Sequence, residues 1–285
     1  MREHFEKGLE SNPNFGYMPI TSLTSGTGRT LANDLFYETI QIVNIVFFGD
    51  PEHSNEWVLI DTGMPKCVNK IIEFAEERFG ENNKLKAIIL THGHFDHVGA
   101  VIDLVNKWNV PVYAHELELP FLTGQMDYPE PDGSVEGGLV AKMSPLFPNE
   151  AINLGDFIHT LPPDGSIPEM PEWKWVHTPG HTPGHISLFR EKDKLLIAGD
   201  AFVTVKQDSL YNVLTQKQEI NGPPRYYTTD WQAAWNSVKV LKTLKPMIAI
   251  TGHGLPMFGE ELNENLKYLD ENFDSIAIPD YGKYS

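Results

Sequence analysis

The stretch THGHFDHVGA (residues 91–100) sets three histidines and an aspartate within six positions. His92, His94 and His97 offer neutral imidazole nitrogens, and Asp96 offers a hard carboxylate. These are the ligand types that divalent zinc takes, with iron or manganese fitting less well on softness. One zinc ion needs about four ligands and a pair of ions needs more, so this loop invites a search for others. His181 and His185 in PGHTPGH, Asp200 in LIAGD and His253 in TGHG supply them. A lone histidine beside glycine is usually a hydrogen-bonding residue, and a lone aspartate there a turn residue. The crowding at 92–97, followed by further candidates at the ends of predicted strands, is better explained by one metal centre.

Residues so far apart meet only if strand ends converge. The pattern supplies such strands. LFYETIQIVNIVFFGD (35–50) and WVLID (57–61) read as an antiparallel pair joined by the turn residues DPEHSNE. A helix follows from Pro65 to Gly80, with Val68, Ile71, Ile72, Ala75 and Phe79 at helical spacing. Lys86–Leu90 is a strand leading into the histidine loop, a helix runs from Gly99 to about Trp108, and Pro111–Ala114 is a short strand. Further on, Lys174–Val176 feeds PGHTPGH, and His185–Arg190 with Lys194–Ala198 forms a hairpin. Thr229 or Asp230 caps a helix to about Leu244, Met247–Ile250 is a buried strand, and a last helix begins near Glu260. Residues 1–34 read mainly as irregular coil. The Pro-, Gly- and acid-rich stretch 116–170 reads as a partly helical lid or substrate loop, with a peripheral insertion as the plain alternative. Each half therefore carries sheet and helix. Two face-to-face sheets with outer helices fit this order, and so does one doubly wound sheet.

Composition narrows the partners. The chain has 285 residues, 41% hydrophobic and 21% charged, which suits one large domain or two halves sharing a core. A formal net charge of −17 repels nucleic acid and anionic membranes. The single Cys67 permits no intrachain disulfide framework. The charged start MREHFEKGLE lacks the apolar core of a signal peptide, and no apolar run is long enough for a bilayer. The expectation is a cytoplasmic protein with a small-molecule substrate and neither a nucleic-acid nor a membrane partner.

THGHFDHVG resembles the HxHxDH signature of the metallo-β-lactamase-fold hydrolases. PGHTPGH, LIAGD and TGHG follow in that family's order, and LIDTG upstream is similar to another family element. The resemblance spans about residues 35–260. It implies an α+β fold, a four-layer αββα sandwich with the site at one edge, built as a single domain over 1–285. It also implies two divalent metal ions, with zinc first and iron or manganese as alternatives. His92, His94 and His181 match the ligands of one ion. Asp96, His97 and His253 match those of the other, and Asp200 matches a carboxylate shared by both. Asp61 and His185 match residues that orient ligands without holding metal. The implied reaction is hydrolysis of an ester, lactone, thioester or phosphate by an activated water, with Asp96 as general base and proton shuttle.

Departures from the family pattern bear on the branch. Asp200 resembles the glyoxalase II, lactonase and phosphoesterase branches, since β-lactamases proper carry a cysteine or no carboxylate there. The basic C-terminal cluster with which glyoxalase II binds glutathione has no counterpart in the acidic tail here. Val203 stands where acyl-homoserine lactonases have a tyrosine, a role that Tyr211, Tyr226 or Tyr227 could take. Arg225, Tyr226 and Tyr211 are the substrate-contact candidates, with Tyr128 and Met126 behind them; a surface salt bridge is the plain alternative for Arg225. Two other readings stay open: a mononuclear-iron persulfide dioxygenase, and an inactive binding protein of the same fold. Members of the family often pair, so a homodimer is a further expectation.

Overall fold

The computed structural model describes residues 21–136, 139–206 and 210–285. The first half runs through β1 (Thr27–Ala32), β2 (Leu35–Ile40), β3 (Val43–Phe48), β4 (Glu56–Ile60), α1 (Val68–Phe79), β5 (Lys84–Ile89), α2 (Val101–Trp108) and β6 (Val112–Ala114). Short helices α3 (Leu119–Leu122) and α4 (Leu139–Met143) precede β7 (Ile158–Thr160). Among the described residues these seven strands form one sheet in sequence order, antiparallel from β1 to β4 and parallel from β4 to β7.

The second half holds β8 (Trp173–His177), β9 (Ile186–Arg190), β10 (Leu195–Gly199), β11 (Val203–Val205), α5 (Leu210–Thr215), β12 (Gln218–Asn221) and α6 (Trp231–Thr243). It closes with β13 (Ile248–Thr251), β14 (Met257–Phe258), α7 (Gly259–Glu271) and α8 (Phe273–Ile276). A second sheet has the order β14-β13-β10-β9-β8, and β11 pairs with β12 as a separate ribbon.

Side chains alternate across a strand, so neighbouring residues report different layers. In β4, Trp57 and Leu59 share a core with Ile71, Ala75 and Phe79 of α1 and with Leu104 of α2. Val58 and Ile60, between and beyond them, share another core with Ile186 and Leu188 of β9 and with Leu195 and Ile197 of β10. The other face of β10, Leu196 and Ala198, packs with Val238 and Leu241 of α6 and with Leu262 and Leu266 of α7. Helices, sheet, sheet, helices is the resulting order. The fold is an αββα sandwich, and the doubly wound alternative falls.

Three expectations need correction. The run 35–50 is not one strand but the hairpin β2–β3, turning at Gln41, which takes a left-handed φ of 59°. No Gly, Asn or Asp marks that turn, so the usual hairpin signal is missing. Residues 27–32 are strand rather than coil. This edge strand has a neighbour on one side only and buries none of its residues, so it carries no apolar alternation; residues 1–20 lie outside the described ones. Finally, the stretch 116–170 contains β7, whose Ile158 pairs with Val112 of β6, so residues 158–160 belong to the main sheet and not to an insertion. Among the described residues no helix is long and apolar enough to cross a membrane.

Candidate metal centre

Strand direction brings the candidates to one edge. β4 runs parallel to β5, and β10 parallel to β13. β8 and β10 both run antiparallel to β9, so they point the same way. Asp61 follows β4, the histidine loop follows β5, His181 follows β8, Asp200 follows β10 and His253 follows β13, while His185 sits just before β9. The Ile186 amide donates to the Thr91 carbonyl at 3.0 Å, joining the two sheets at this edge.

The seven candidate ligands do converge. Donor atoms lie within 4.8 Å of one another in each of three groups: His92–His94–His181, His92–His97–Asp200 and Asp96–His97–His253. Asp200 stands between the sets. Its Oδ2 is 3.6 Å from His97 Nε2, 3.6 Å from His181 Nε2 and 3.4 Å from His253 Nε2. Asp96 Oδ2 is 3.3 Å from His253 Nε2. Gly252 has to be glycine for this approach, since a Cβ there would fall 2.1 Å from Asp200 Oδ1.

Outer partners fix how the rings point. His97 Nδ1 donates to Asp61 Oδ2 at 2.8 Å, and His253 Nδ1 donates to the Ile42 carbonyl at 2.9 Å. Thr91 Oγ1 gives its proton to Asp61, so it accepts from His92 Nδ1 at 3.0 Å. Thr228 Oγ1 likewise gives its proton to the Pro224 carbonyl and accepts from His181 Nδ1 at 3.2 Å. Each of these four imidazoles carries a proton outward, so each, when neutral, presents an Nε2 lone pair inward. His94 differs: its Nδ1 faces His181 Nε2 at 2.9 Å. Both nitrogens of His185 are taken by protein groups. Nε2 accepts from the Asp200 amide at 2.9 Å, and Nδ1 lies 2.8 Å from Thr178 Oγ1. Asp61 accepts from the Thr91 amide at 2.8 Å as well as from the two side chains already named.

Electrostatics suit a cation. Burial, then neighbouring imidazoles, hold His92 and His181 well below the usual histidine range and bring His94 down to about 3. Burial alone would raise the Asp200 carboxyl, yet His253 and His97 hold it well below the carboxylate range. Burial opposes protonation of His253 and His97, but Asp200 and Asp96 outweigh it and raise His253 to about 10, and Asp61 and Asp200 raise His97 well above the histidine range. Without a cation these two rings hold a proton between the carboxylates, which a divalent ion would displace. Neutral imidazoles and ionised carboxylates are the protonation states that bind metal. His92 Nε2, His97 Nε2 and Asp200 Oδ1 are buried without a hydrogen-bond partner. Orphaned inward-facing polar atoms are costly unless something satisfies them, so the donor set fits divalent metal.

The substrate-contact candidates are placed less simply. Tyr227, rather than Tyr226, stacks on the His94 ring, at 4.2 Å between centroids and 28° between planes. Its hydroxyl donates to the Pro148 carbonyl at 3.0 Å. Tyr226 lies behind it against Phe147. Arg225 donates to the carbonyls of Ala277 and Ile276 at 3.0 and 2.8 Å and pairs with Glu136, so these described contacts direct it to the C-terminal segment rather than to an anion over the histidines. Tyr211 is 70% exposed on α5. Tyr128 also packs on His94, at 4.6 Å between centroids, whereas Met126 is exposed. Asn44, Glu118, Thr91, Thr178 and Thr228 all touch the centre or its loops, and no local pattern in the sequence singles them out.

A sandwich of this kind, with strand-end histidines and aspartates gathered at one edge, defines a class. Residues 39–253 match the metallo-beta-lactamase superfamily, and the chain belongs to it. The probable metallo-hydrolase YflN of Bacillus subtilis is 48% identical over 260 residues, which cover 91% of this chain and 98% of that protein. Hydroxyacylglutathione hydrolase GloC of Haemophilus influenzae is 28% identical over 184 residues, 64% of this chain and 74% of that one. Among solved structures, the B3 metallo-beta-lactamase BLEG-1 aligns with a TM-score of 0.55 at 23% identity, over 78% of this chain and 92% of the other, a likeness of fold alone.

Proposed function

We propose that this protein is a hydrolase that uses two divalent metal ions, zinc first among the candidates, to cleave an ester, lactone or thioester bond in a small molecule. The observation that carries the reading is the pair of donor sets, His92–His94–His181 and Asp96–His97–His253, with Asp200 between them. The first set would hold one ion, the second the other, and Asp200 would be shared. Bound there, divalent ions supply Lewis acidity, which lowers the pKa of water and polarises a substrate carbonyl.

The protein's own residues do the rest. The outward hydrogen bonds of His92, His97, His181 and His253 hold their Nε2 atoms inward before any ligand arrives. Asp200 offsets cationic charge. Asp96 is the most exposed of the seven, at 8%, so water and protons reach the cluster most readily there. With Oδ2 turned to His253, Asp96 accepts the proton of the attacking water and passes it on. Tyr128, Tyr227, Phe95 and Phe147 form an aromatic wall by His94, which suits an uncharged acyl group and limits water. The likeness to a hydroxyacylglutathione hydrolase supports including thioesters.

A hydrolysis screen with esters, lactones, thioesters and phosphodiesters, run on metal-quantified protein, tests the proposal. We expect about two ions per chain and chelator-sensitive turnover on one of the first three classes. A single ion with none gained on reconstitution defeats the binuclear reading. Turnover confined to phosphodiesters defeats the substrate class. Oxygen consumption with bound iron would establish the dioxygenase instead, and no metal-dependent turnover on any class the inactive binding protein.

A further inference from the structure

Glu118 is fully buried at the end of a 3-10 turn that follows β6. A buried carboxylate is costly unless its lone pairs are met. Here they are met by groups from the two histidine loops and by Tyr128. Oε1 accepts from Thr182 Oγ1 at 2.7 Å and from the Gly184 amide at 2.8 Å. Oε2 accepts from the Gly93 amide at 3.0 Å and from the Tyr128 hydroxyl. Gly93 lies between His92 and His94, and Thr182 adjoins His181. One oxygen therefore serves the loop of the first sheet, and the other serves the loop of the second.

The fit is close. A Cβ on Gly184 would come within 2.8 Å of Glu118 Cγ, N and Oε1, and a Cβ on Gly93 within 2.6 Å of the Tyr128 hydroxyl. All four partners are donors, and an ionised carboxylate is the side chain that offers acceptors alone. Asp61 and His185 order groups within their own halves of the molecule. Glu118 spans the halves, on the side where His94 Nδ1 meets His181 Nε2 at 2.9 Å.

We propose that Glu118 is a positioning residue that sets the spacing between the His92–His97 loop and the His181–His185 loop, and with it the geometry of the metal site. This inference rests on the metal-centre reading above. A shift of Glu118 would separate donors of one triad without touching any of them. Glu118→Gln would turn N–H hydrogens against the donors of one loop. Glu118→Asp would keep the charge but reach one loop only.

The test uses the full chain stripped of metal and titrated with Co²⁺, whose visible absorption reports coordination, with near-ultraviolet circular dichroism as the check on folding. Folded Glu118→Gln should bind Co²⁺ roughly 10–100-fold more weakly, with altered absorption bands, and Glu118→Asp should resemble it. Wild-type affinity and spectrum in either folded variant would overturn the inference. Should both fail to fold, Thr182→Val decides. It removes one of the four hydrogen bonds at little change in volume, and a loss of about threefold or more is expected from a charged hydrogen bond. Unchanged affinity and spectrum there would also overturn it. Wild-type protein that binds no Co²⁺ would sink the metal-centre reading itself, while wild-type binding with unaffected variants sinks only the role of Glu118.

Discussion

Asp96 and Glu38 are both buried acids, and their surroundings give them opposite characters. Burial alone would raise the Asp96 carboxyl, but His253 and His97 bring it below the carboxylate range, so it is an acceptor at neutral pH. Asp96→Ala should cut turnover by about 10²–10⁴-fold if it moves the proton; a near-normal rate in metal-loaded protein would remove it from that role. Glu38, 1% exposed on β2, has an Oε1 without a partner. Burial, then Glu77, raises its pKa to about 7 from the model-compound 4.5. The folded state thus holds a proton that the unfolded state gives up earlier. Stability from this group is full at low pH and is lost as pH rises from the ordinary carboxylate range through 7. Glu38→Gln should therefore raise the melting temperature at pH 8, by about 1–2 kcal/mol of stability, and the gain should vanish near pH 5. A gain equal at both values would remove the charge from the explanation.

Helices were the most legible elements, because their apolar faces repeat locally. α1 and α6 fall within a few residues of their expected bounds, with Ile71, Ala75 and Phe79 and then Trp231, Ala234, Val238 and Leu241 buried. The cap expected at Thr229 or Asp230 is Asp230, whose carboxylate accepts from the Ala233 amide at 2.9 Å. The cap and the middle of α6 also hold the site: the Asp230 amide donates to the Gly180 carbonyl, and Ser237 Oγ donates to the Pro179 carbonyl, both in the His181 loop. Asp230→Ala should cost about 0.5–2 kcal/mol, read as a lower denaturation midpoint, and an unchanged midpoint would count against the cap. Short strands were legible at β6, expected as Pro111–Ala114, and hidden elsewhere. β7, β11 and β14 have three residues or fewer, too few for a period-two pattern to stand out.

At the scale of the molecule, the centre exists because two sheets are held in register at one edge. The core between them, with Val58, Ile60, Leu188, Leu195 and Ile197, sets their spacing. Asn44 of β3 ties the first sheet to the His253 loop. Its amide donates to the Gly252 carbonyl at 2.7 Å, and Nδ2 donates to the carbonyls of Thr251 and Gly254 at 2.9 and 2.6 Å. Asn44→Ala should leave two buried carbonyls short of a donor and cost about 1–3 kcal/mol. Urea denaturation of the metal-free protein measures this, and an effect below the error of the midpoint would mean that the sheets are held without it.

What the sequence determined by itself was the chemistry on offer: which side chains could hold a cation, and that each lay at the end of an apolar run. Ligand types are few and the 92–97 cluster is local, so both are readable without a fold. Apolar periodicity also gave the helices and long strands, but it is the same for a sandwich as for a doubly wound sheet. The tertiary structure decided what depends on distant chain segments. It turned Arg225 to the C-terminal segment, put Tyr227 on His94, and set Asn44 and Glu118 across the two halves. Asn44 and Gly254 are 210 residues apart, and Glu118 and Gly184 are 66 apart. A hydrogen bond over such separations leaves no period in the chain, because its partner is chosen by packing and not by neighbours in sequence.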